Sequence, residues 1–247
     1  MTPGVGDEVA AVIEVLDAGG EPDEGVLTKL LRRPGCPGEV IDRLGRCRWL
    51  LGSPRPLQLF VRHPRCPSRF AWEALPRLGW HDLVEVARDP RTAPAVRKQA
   101  ERKLIERVAT LTLGERTALA RVAPRGVLAA LLASTEPTCI AALLDNPKFT
   151  ESEALRLFAT NRNSEALLSV LRHPVWGRRL ELVRAAIRND AVPLGVALGL
   201  LASLPVPELA RVAGASGVRS ALRSAAQRLA ARRMQDDQLR GAGPSPT

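Results

Sequence analysis

A histidine and a cysteine lie close together in the segment "FVRHPRCP", residues 60–67. His63 and Cys66 belong to a chain that has only three His and four Cys. An imidazole near a thiol could supply two ligands to a zinc ion, or a nucleophile together with its general base. The adjacent pair His81–Asp82 could likewise be a base and the carboxylate that orients it. Whether either pair has such a role depends on the elements that position it.

The form of this segment recurs along the chain as two apolar residues, two polar residues, Pro, any residue, and a small or apolar residue. The copies are "LLRRPGCP" (30–37), "VARDPRTA" (86–93), "LLDNPKFT" (143–150), "VLRHPVWG" (170–177) and, with Asp190 in place of Pro, "AIRNDAVP" (186–193); "TEPTC" (135–139) is a looser copy. Proline disfavours helical backbone in the residue before it and is well tolerated in the first turn of a helix. Each copy is therefore predicted to be a joint between two helices.

The repeated joint gives His63 and Cys66 a structural interpretation. His63 and His173 share the position before Pro, which other copies fill with Arg33, Asp89 or Asn146. We predict a polar residue at the end of a helix there. Cys36, Cys66 and Cys139 each follow the joint Pro by two residues, where other copies have Thr92, Phe149, Trp176 and Val192. A position that accepts Thr, Phe, Trp and Val is predicted to be a semi-buried plug, in which Cys acts as a small hydrophobic residue.

No metal, cofactor or catalytic site is predicted. The sequence contains no Cys-x-x-Cys, P-loop, G-x-G-x-x-G or G-x-S-x-G. His81–Asp82 aligns with Pro207–Glu208 in the duplication described below, so the acid is shared and the His is not. That pattern is typical of an acid at a helix N-terminus, favoured by the helix dipole. The chain is expected not to be an enzyme.

The overall composition predicts an all-α protein. The chain has no Tyr, four Phe and four Trp, so Leu, Ala and Val must form most of its core. No apolar stretch is long enough to cross a membrane, and the N-terminus lacks the basic region of a signal peptide. Four unevenly spaced Cys do not resemble a disulfide framework. These features predict a cytoplasmic protein with reduced thiols and no membrane partner.

A longer duplication organises the joints. Residues 60–90 lie over residues 186–216 without a gap, and one residue of slippage then aligns 98–104 with 224–229. Upstream of this duplication, "LLRRPGCP" aligns with "LLDNPKFT" and Trp49 aligns with Trp176. The predicted segments are an acidic N-terminal helix or cap (1–25), a first half (26–110), bridging helices (111–138), a second half (139–233) and a flexible tail (234–247). Trp49, Trp176, Trp72 and Trp80 are all interpreted as packing residues.

The segments "VARDPRTAPAVRKQAERKL" and "LLDNPKFTESEALRLF" resemble the Asp/Asn-Pro joints of bacterial HEAT-like and leucine-rich-repeat-variant α-solenoids. The second segment also carries a capping box, Thr150 with Glu153. The resemblance covers most of residues 26–233. It implies an α-solenoid of short helical repeats arranged as two similar halves, whose usual role is to bind a partner. It supplies no catalytic residues.

Charge is strongly segregated along the chain. Residues 1–28 carry seven acidic residues and no Lys or Arg, which leaves 36 basic residues against 19 acidic ones, or +17, in the remainder. Each half ends in a basic helix that could bind an acidic surface or phosphates. The candidate binding residues are Arg97, Lys98, Arg102, Lys103 and Arg107 in the first half and Arg219, Arg223, Arg228, Arg232 and Arg233 in the second.

Three functions remain open. The first is a non-enzymatic interaction module whose partner is an acidic protein or assembly. The second is a nucleic-acid-binding α-solenoid that contacts the phosphate backbone. The third, a HEAT-like DNA base-excision enzyme, needs an acid near a Trp on a concave face, and the sequence places none. The acidic N-terminus is interpreted as a polar cap on the first repeat or as a mask that covers the basic helices.

Overall fold

The computed structural model describes residues 5–33, 35–134 and 136–241. These residues form sixteen α-helices and two short 3₁₀ helices, with no strand among them, which confirms the all-α prediction. In order they are α1 (Val5–Asp17), α2 (Glu24–Arg32), α3 (Gly38–Leu44), η1 (Trp49–Gly52), α4 (Pro54–Arg62), α5 (Ser68–Ala74), η2 (Leu75–Arg77), α6 (Trp80–Arg88), α7 (Pro94–Val108), α8 (Leu113–Val122), α9 (Arg125–Leu131), α10 (Pro137–Leu144), α11 (Glu151–Thr160), α12 (Ser164–Arg172), α13 (Leu180–Arg188), α14 (Leu194–Leu201), α15 (Val206–Gly214) and α16 (Ser220–Gly241).

The joints between helices share one hydrogen-bonded turn. The polar residue before Pro ends the helix in an extended conformation, with φ −67° and ψ 134° at His63 and φ −73° and ψ 115° at Asp89. Its carbonyl accepts a hydrogen bond from the amide three residues on, as in Cys66 N to His63 O at 2.9 Å. Its side chain accepts from the amide two residues on, as in Arg91 N to Asp89 Oδ1 at 2.9 Å. Asn146, Asn161, His173 and Asn189 make the same side-chain bond, so the two histidines are helix-end residues as predicted.

The residue that closes each turn is buried. Cys36, Cys66, Thr92, Phe149, Trp176 and Val192 are all below a tenth exposed, which confirms the plug interpretation and makes it stronger than the semi-burial expected. "TEPTC" is an exception to the joint pattern. Thr135 lies outside the described residues, and Pro137 is the first residue of α10, so Cys139 is buried inside a helix rather than in a turn. Thr150 and Glu153 form the predicted capping box at the start of α11.

Side chains at three of the joints also donate to a carbonyl near the end of an earlier helix. In residues 131–241, Asn189 Nδ2 donates to Phe158 O at 2.6 Å, and Asn161 Nδ2 donates to Ser134 O at 3.3 Å. In residues 5–130, Thr92 Oγ1 donates to Arg62 O at 3.3 Å. These bonds satisfy helix-end carbonyls that have no partner within their own helix. Polar residues at the joints therefore contribute to packing between helices as well as to turns.

Two compact units divide the chain after Ala130, within the predicted bridge of residues 111–138. In the first unit α2, α4, α6 and α8 pack in sequence, each on the next. Beside this row α1 packs on α3, α5 packs on α7, and α6 packs against α7. The buried rings of Phe60 and Phe70 meet edge to face with centroids 5.0 Å apart.

The second unit repeats much of this packing. There α10 packs on α12, α11 on α13, α14 on α16, and α15 on α16. The bounds of α4 and α13, Pro54–Arg62 and Leu180–Arg188, differ by 126 residues at both ends, as do those of α6 and α15. Buried residues keep the same spacing into the last helices, as in Ala100 with Ala226 and Leu104 with Ala230. No slippage is therefore needed beyond residue 98, contrary to the sequence alignment.

The upstream alignment also differs from the order of the helices. Because α3 and α4 correspond to α12 and α13, the joint after α2 corresponds to the one at Asn161, after α11. "LLDNPKFT" precedes α11 and so is not its counterpart. Trp49 and Trp176 do lie in corresponding connections, but one residue out of register.

The two ends of the chain differ in how well the sequence anticipates them. Helix α1 ends at Asp17, inside the predicted segment 1–25, and a glycine follows it: Gly19 has φ 75°, and Gly20 N and Gly19 N donate to Val15 O and Leu16 O. At the other end α16 continues to Gly241, eight residues into the segment predicted to be flexible from 234. That segment, "MQDDQLRG", contains good helix formers and no Pro, so nothing stops the helix. The remainder of the predicted tail, 242–247, lies outside the described residues.

Candidate binding surface

The ten predicted binding residues fall into structurally different groups. Arg107 and Arg233 bind backbone rather than facing a partner. Arg107 donates from Nη1 to Leu78 O and from Nη2 to Pro76 O, the second at 2.5 Å. Arg233 donates from Nη1 to Leu204 O at 2.5 Å and from Nη2 to Ala202 O at 2.6 Å. Both arginines thus hold the carbonyls that follow α5 and α14, at positions 126 residues apart.

We expect Arg107→Met and Arg233→Met each to lower the free energy of unfolding by about 1–2 kcal/mol, because each loses two charge-assisted hydrogen bonds to carbonyls, one of them part-buried. The measurement is urea unfolding followed by circular dichroism. Arg228→Met is the matched control on α16, since Arg228 is exposed and has no such bond, and its stability should stay within about 0.5 kcal/mol of the wild type. Equal losses in all three variants would contradict the capping role.

Three more of the predicted residues are partly withdrawn from solvent. Lys103 Nζ pairs with Glu106 at 2.7 Å. Arg97 and Arg219 are half-buried, and Arg219 precedes α16 rather than belonging to it, with Nε 3.9 Å from Asp190 Oδ1. Their charge is therefore less available to a partner than the sequence pattern suggests.

The other five predicted residues are exposed. They are Lys98 and Arg102 on α7 and Arg223, Arg228 and Arg232 on α16. Arg102 is within 3.4 Å of Gln99 Oε1. Helix α7 carries its exposed bases together with Glu101 and Glu106, whereas α16 has no acidic residue before Asp236. The cationic surface is consequently stronger on α16.

Helix α14, which packs against α16, has an exposed apolar surface that the sequence analysis did not single out. Its sequence "LGVALGLL" has no charged residue, and Leu194, Val196 and Leu198 are 41%, 36% and 37% exposed. The corresponding helix α5 has Arg69 and Glu73 on its exposed surface instead. Single exposed apolar residues are ordinary, but Leu194 and Leu198, one turn apart on the same face of this short uncharged helix, form a patch of the kind that marks interaction sites. The sequence feature that could have identified this surface is the lack of any charged residue in the helix.

The four tryptophans do not behave alike. Trp176 is buried, and its Nε1 donates to Leu144 O at 3.0 Å. Trp80 is buried and Trp49 is half-buried, as expected of packing residues. Trp72 is 56% exposed on α5, so its interpretation as a packing residue is wrong. Its counterpart Leu198 belongs to the exposed α14 patch, which shows that an apolar pair at matching positions need not be a core pair.

The thiols and histidines are placed as structural residues. Burial raises the pKa of Cys66 to about 12 and also raises the pKa of Cys36, so both thiols are protonated and poor nucleophiles at neutral pH. Burial, with help from Arg65 and Arg91, lowers the pKa of His63. Asp82 lies in the first turn of α6, as expected for an acid at a helix N-terminus. Among the described residues no three His, Cys, Asp or Glu side chains cluster as a metal site would require.

Two buried acids with paired arginines were missed by the sequence analysis. Asp89 accepts from Arg62 Nε and Arg91 Nη2, both at 2.9 Å, which holds the pKa of its carboxyl well below the usual range, with Arg91 the larger cause. Glu208 on α15 accepts from Arg184 Nε and Arg211 Nη1, both at 2.7 Å. Arg62 and Asp89 are 27 residues apart in the sequence and lie in successive joints. That spacing could have been used to predict the ion pair.

The acidic N-terminal helix α1 packs on α2 and α3. Glu8 pairs with Lys29 at 2.9 Å, and Asp17 pairs with Arg43 at 2.6 Å, so its ion pairs are made with neighbouring helices. None of the ten predicted binding residues takes part in them. These contacts favour the polar cap over the mask.

No described helix is both long and apolar enough to cross a membrane. No family model, curated protein or solved structure matches this chain. The exposed arginines of α16 and the apolar surface of α14 are consequently the features from which a function can be inferred.

Proposed function

We propose that the chain is a non-enzymatic α-solenoid of short HEAT-like repeats, in two similar halves, that binds an acidic protein partner. The solenoid interpretation is supported by the rows of sequentially packed helices within each unit and by the shared joint turn. It is also supported by the matching bonds of Arg107 and Arg233 at corresponding places. Short repeats of this kind bury a core only by stacking on their neighbours.

The observation that carries the binding proposal is that α14, which has exposed apolar residues, packs against α16, which has exposed arginines. We call the exposed residues Leu194 and Leu198 of α14, together with Arg223, Arg228 and Arg232 of α16, the α14–α16 surface. An amphipathic segment with acidic residues beside an apolar stripe would match both parts. Its apolar side chains would cover α14, and its carboxylates would pair with guanidinium groups.

The apolar part favours protein over nucleic acid. A phosphate backbone is recognised by basic and hydrogen-bonding groups, and an uncharged aliphatic patch makes no favourable contact with it. The exposed arginines alone would suit either partner. The patch on α14 is therefore what separates the leading proposal from the nucleic-acid alternative.

The experiment uses the full chain and two probes measured by fluorescence anisotropy. The first probe is a labelled helical peptide with Leu at i, i+3, i+4 and i+7 and Glu elsewhere, and the second is a labelled 20-nucleotide single-stranded DNA. We expect Arg228→Glu with Arg232→Glu to weaken peptide binding at least tenfold, because two attractive contacts become repulsive. Leu194→Ser with Leu198→Ser should weaken peptide binding and leave any DNA binding unchanged.

The matched control is Arg55→Glu with Arg121→Glu, which makes the same change in net charge at exposed arginines on α4 and α8. It should leave the affinity for the peptide within about twofold of the wild type, if only the α14–α16 surface binds. If both pairs of charge reversals weaken peptide binding equally, the effect is due to net charge alone, and the proposal is overturned. Tight DNA binding whose affinity falls linearly with the logarithm of salt concentration, unaffected by the Ser variants, would establish the nucleic-acid alternative instead.

A further inference from the structure

A second site lies in the first unit and is formed by residues that are not part of the α14–α16 surface. A cavity of about 210 Å³ is formed where three successive joints approach one another, and Arg33, His63 and Arg91 line it with Arg62, Leu31 and Leu59. Its volume is several times the share of one water molecule in the liquid, about 30 Å³. It is also smaller than the roughly 300 Å³ at which drug-sized ligand pockets begin. A small ligand is what its volume admits.

Two hydrogen-bond donors of the lining are buried and unused. His63 is 5% exposed, and among the described residues neither its Nε2 nor the Nη1 of Arg33 has a hydrogen-bond partner. Buried polar groups are nearly always paired, since an unmade bond costs free energy. An unpartnered pair in a cavity therefore indicates a ligand that accepts hydrogen bonds.

The protonation of His63 follows from its turn. Nδ1 accepts a hydrogen bond from Arg65 N at 3.2 Å, so the proton of the neutral ring is on Nε2. Nε2 is thus a donor rather than an acceptor. Arg62 and Arg91 are partly engaged by Asp89, whereas Arg33 has a single long ion pair, Nη2 to Glu8 Oε2 at 3.7 Å. The free groups of the cavity are all donors, and guanidinium groups match oxyanions in geometry.

We propose that this cavity binds a small oxyanion, a phosphate or a carboxylate, through His63 Nε2–H and the guanidinium of Arg33. Arg62 and Arg91 contribute positive charge at its edge, and Leu31 and Leu59 exclude water from one side. This site goes beyond the proposed partner binding, because it lies in a different unit and takes a small molecule.

The second unit provides an internal comparison. The position that corresponds to His63 is Asn189, and its Nδ2 is bound to Phe158 O, so it leaves no free donor. The other joint histidine, His173, has its Nε2 within 3.4 Å of Asp145 Oδ1. Neither lines the cavity. Among these three joint residues, only His63 therefore combines a buried side chain with a donor that has no acceptor.

The test is a titration of the full chain at pH 7 with inorganic phosphate and, separately, with acetate, at an ionic strength held constant with sodium chloride. Binding is followed by calorimetry and by NMR of the histidine side chain and the Arg65 amide. We expect saturable binding of one anion per chain, with a downfield shift of the His63 Nε2–H proton as it gains an acceptor. Whichever anion binds more tightly identifies the ligand as a phosphate or a carboxylate.

His63→Asn and Arg33→Met should each weaken binding at least tenfold. Asn already fills the same joint position at residues 146, 161 and 189, so the first variant keeps the turn and removes the imidazole donor. His173→Asn and Arg55→Met are the matched controls and should bind as the wild type does. Absence of saturable binding of either anion, or equal weakening by the controls, would overturn the proposal.

Discussion

Asp89→Ala is expected to lower the free energy of unfolding by about 3 kcal/mol, because removing the buried carboxylate leaves the guanidinium groups of Arg62 and Arg91 without this ion-pair partner. Asp89 is 6% exposed and accepts hydrogen bonds from Arg62 Nε, from Arg91 Nη2 and from the Arg91 amide. The alanine variant loses all three and leaves the half-buried Arg62 without its closest acceptor. Chemical unfolding in urea at pH 7, monitored by circular dichroism, measures the loss.

Asp89→Asn separates the charge of this residue from its role in the turn. Asn can still accept from the Arg91 amide, as Asn146, Asn161 and Asn189 do at their joints, so its loss should be smaller, about 1–2 kcal/mol. If the two variants lose the same amount, the charged contacts contribute little and the turn alone accounts for the effect.

The acid dependence gives a second measure of the same contacts. The pKa of Asp89 is depressed in the folded chain by Arg91 and Arg62, so the stability it contributes is present above the unfolded value, about 3.9, and is lost as the pH falls below it. The difference in unfolding free energy between the wild type and Asp89→Asn should therefore shrink as the pH is lowered from 5 to 2. A constant difference over that range would contradict the assignment.

Trp176→Ala is expected to cost about 3–5 kcal/mol of stability, the range for truncating a buried large aromatic residue. The ring is 8% exposed, packs edge to face on Phe149 with centroids 5.3 Å apart, and lies under the guanidinium of Arg179 at 4.8 Å. Its indole N–H also satisfies Leu144 O. Truncation removes a plug, an aromatic pair and a bond to a helix-end carbonyl together.

Trp72→Ala is the matched control for this variant. Trp72 is 56% exposed, so the same change in side chain should alter the free energy of unfolding by about 0.5 kcal/mol or less. Differential scanning calorimetry of both variants, with the wild type, gives the comparison. A large loss in Trp72→Ala would restore the packing role that the sequence predicted and the structure contradicts.

Local features of the fold were accessible from the sequence because they depend on residues close along the chain. The Pro that ends a helix, the polar residue that precedes it and the plug two residues later are all within one turn. The structure has them at 63–66, 89–92 and 146–149, and it has the same turn at 189–192 with Asp190 in place of Pro. The capping box at Thr150 and the glycine that ends α1 are equally local. The alignment of "LLRRPGCP" with "LLDNPKFT" was wrong because the two joints resemble each other but occupy different places in the order of helices. A match of short motifs does not show how many helices lie between them.

Long-range contacts decided the roles of the charged residues. Arg107 lies on α7 and Arg228 on α16, and nothing in their immediate sequence says that one binds carbonyls 29 and 31 residues earlier while the other faces solvent. Only the packing of α7 on α5 brings Arg107 to those carbonyls. The same reasoning applies to the cavity at His63, whose donors come from two joints.

By itself, the sequence determined the all-α class, the repeated joint and the excess of arginine, because helix propensity, proline geometry and charge are properties of residues and their near neighbours. Tertiary structure alone decided which arginines are structural, which apolar residues stay exposed on α14, and where unused donors meet in a cavity. Those outcomes depend on which surfaces of distant helices come into contact. The motif "FVRHPRCP" illustrates both: its turn and the proton on His63 Nε2 are determined locally, whereas the lack of an acceptor for that proton depends on Arg33, Arg62 and Arg91, which only donate hydrogen bonds.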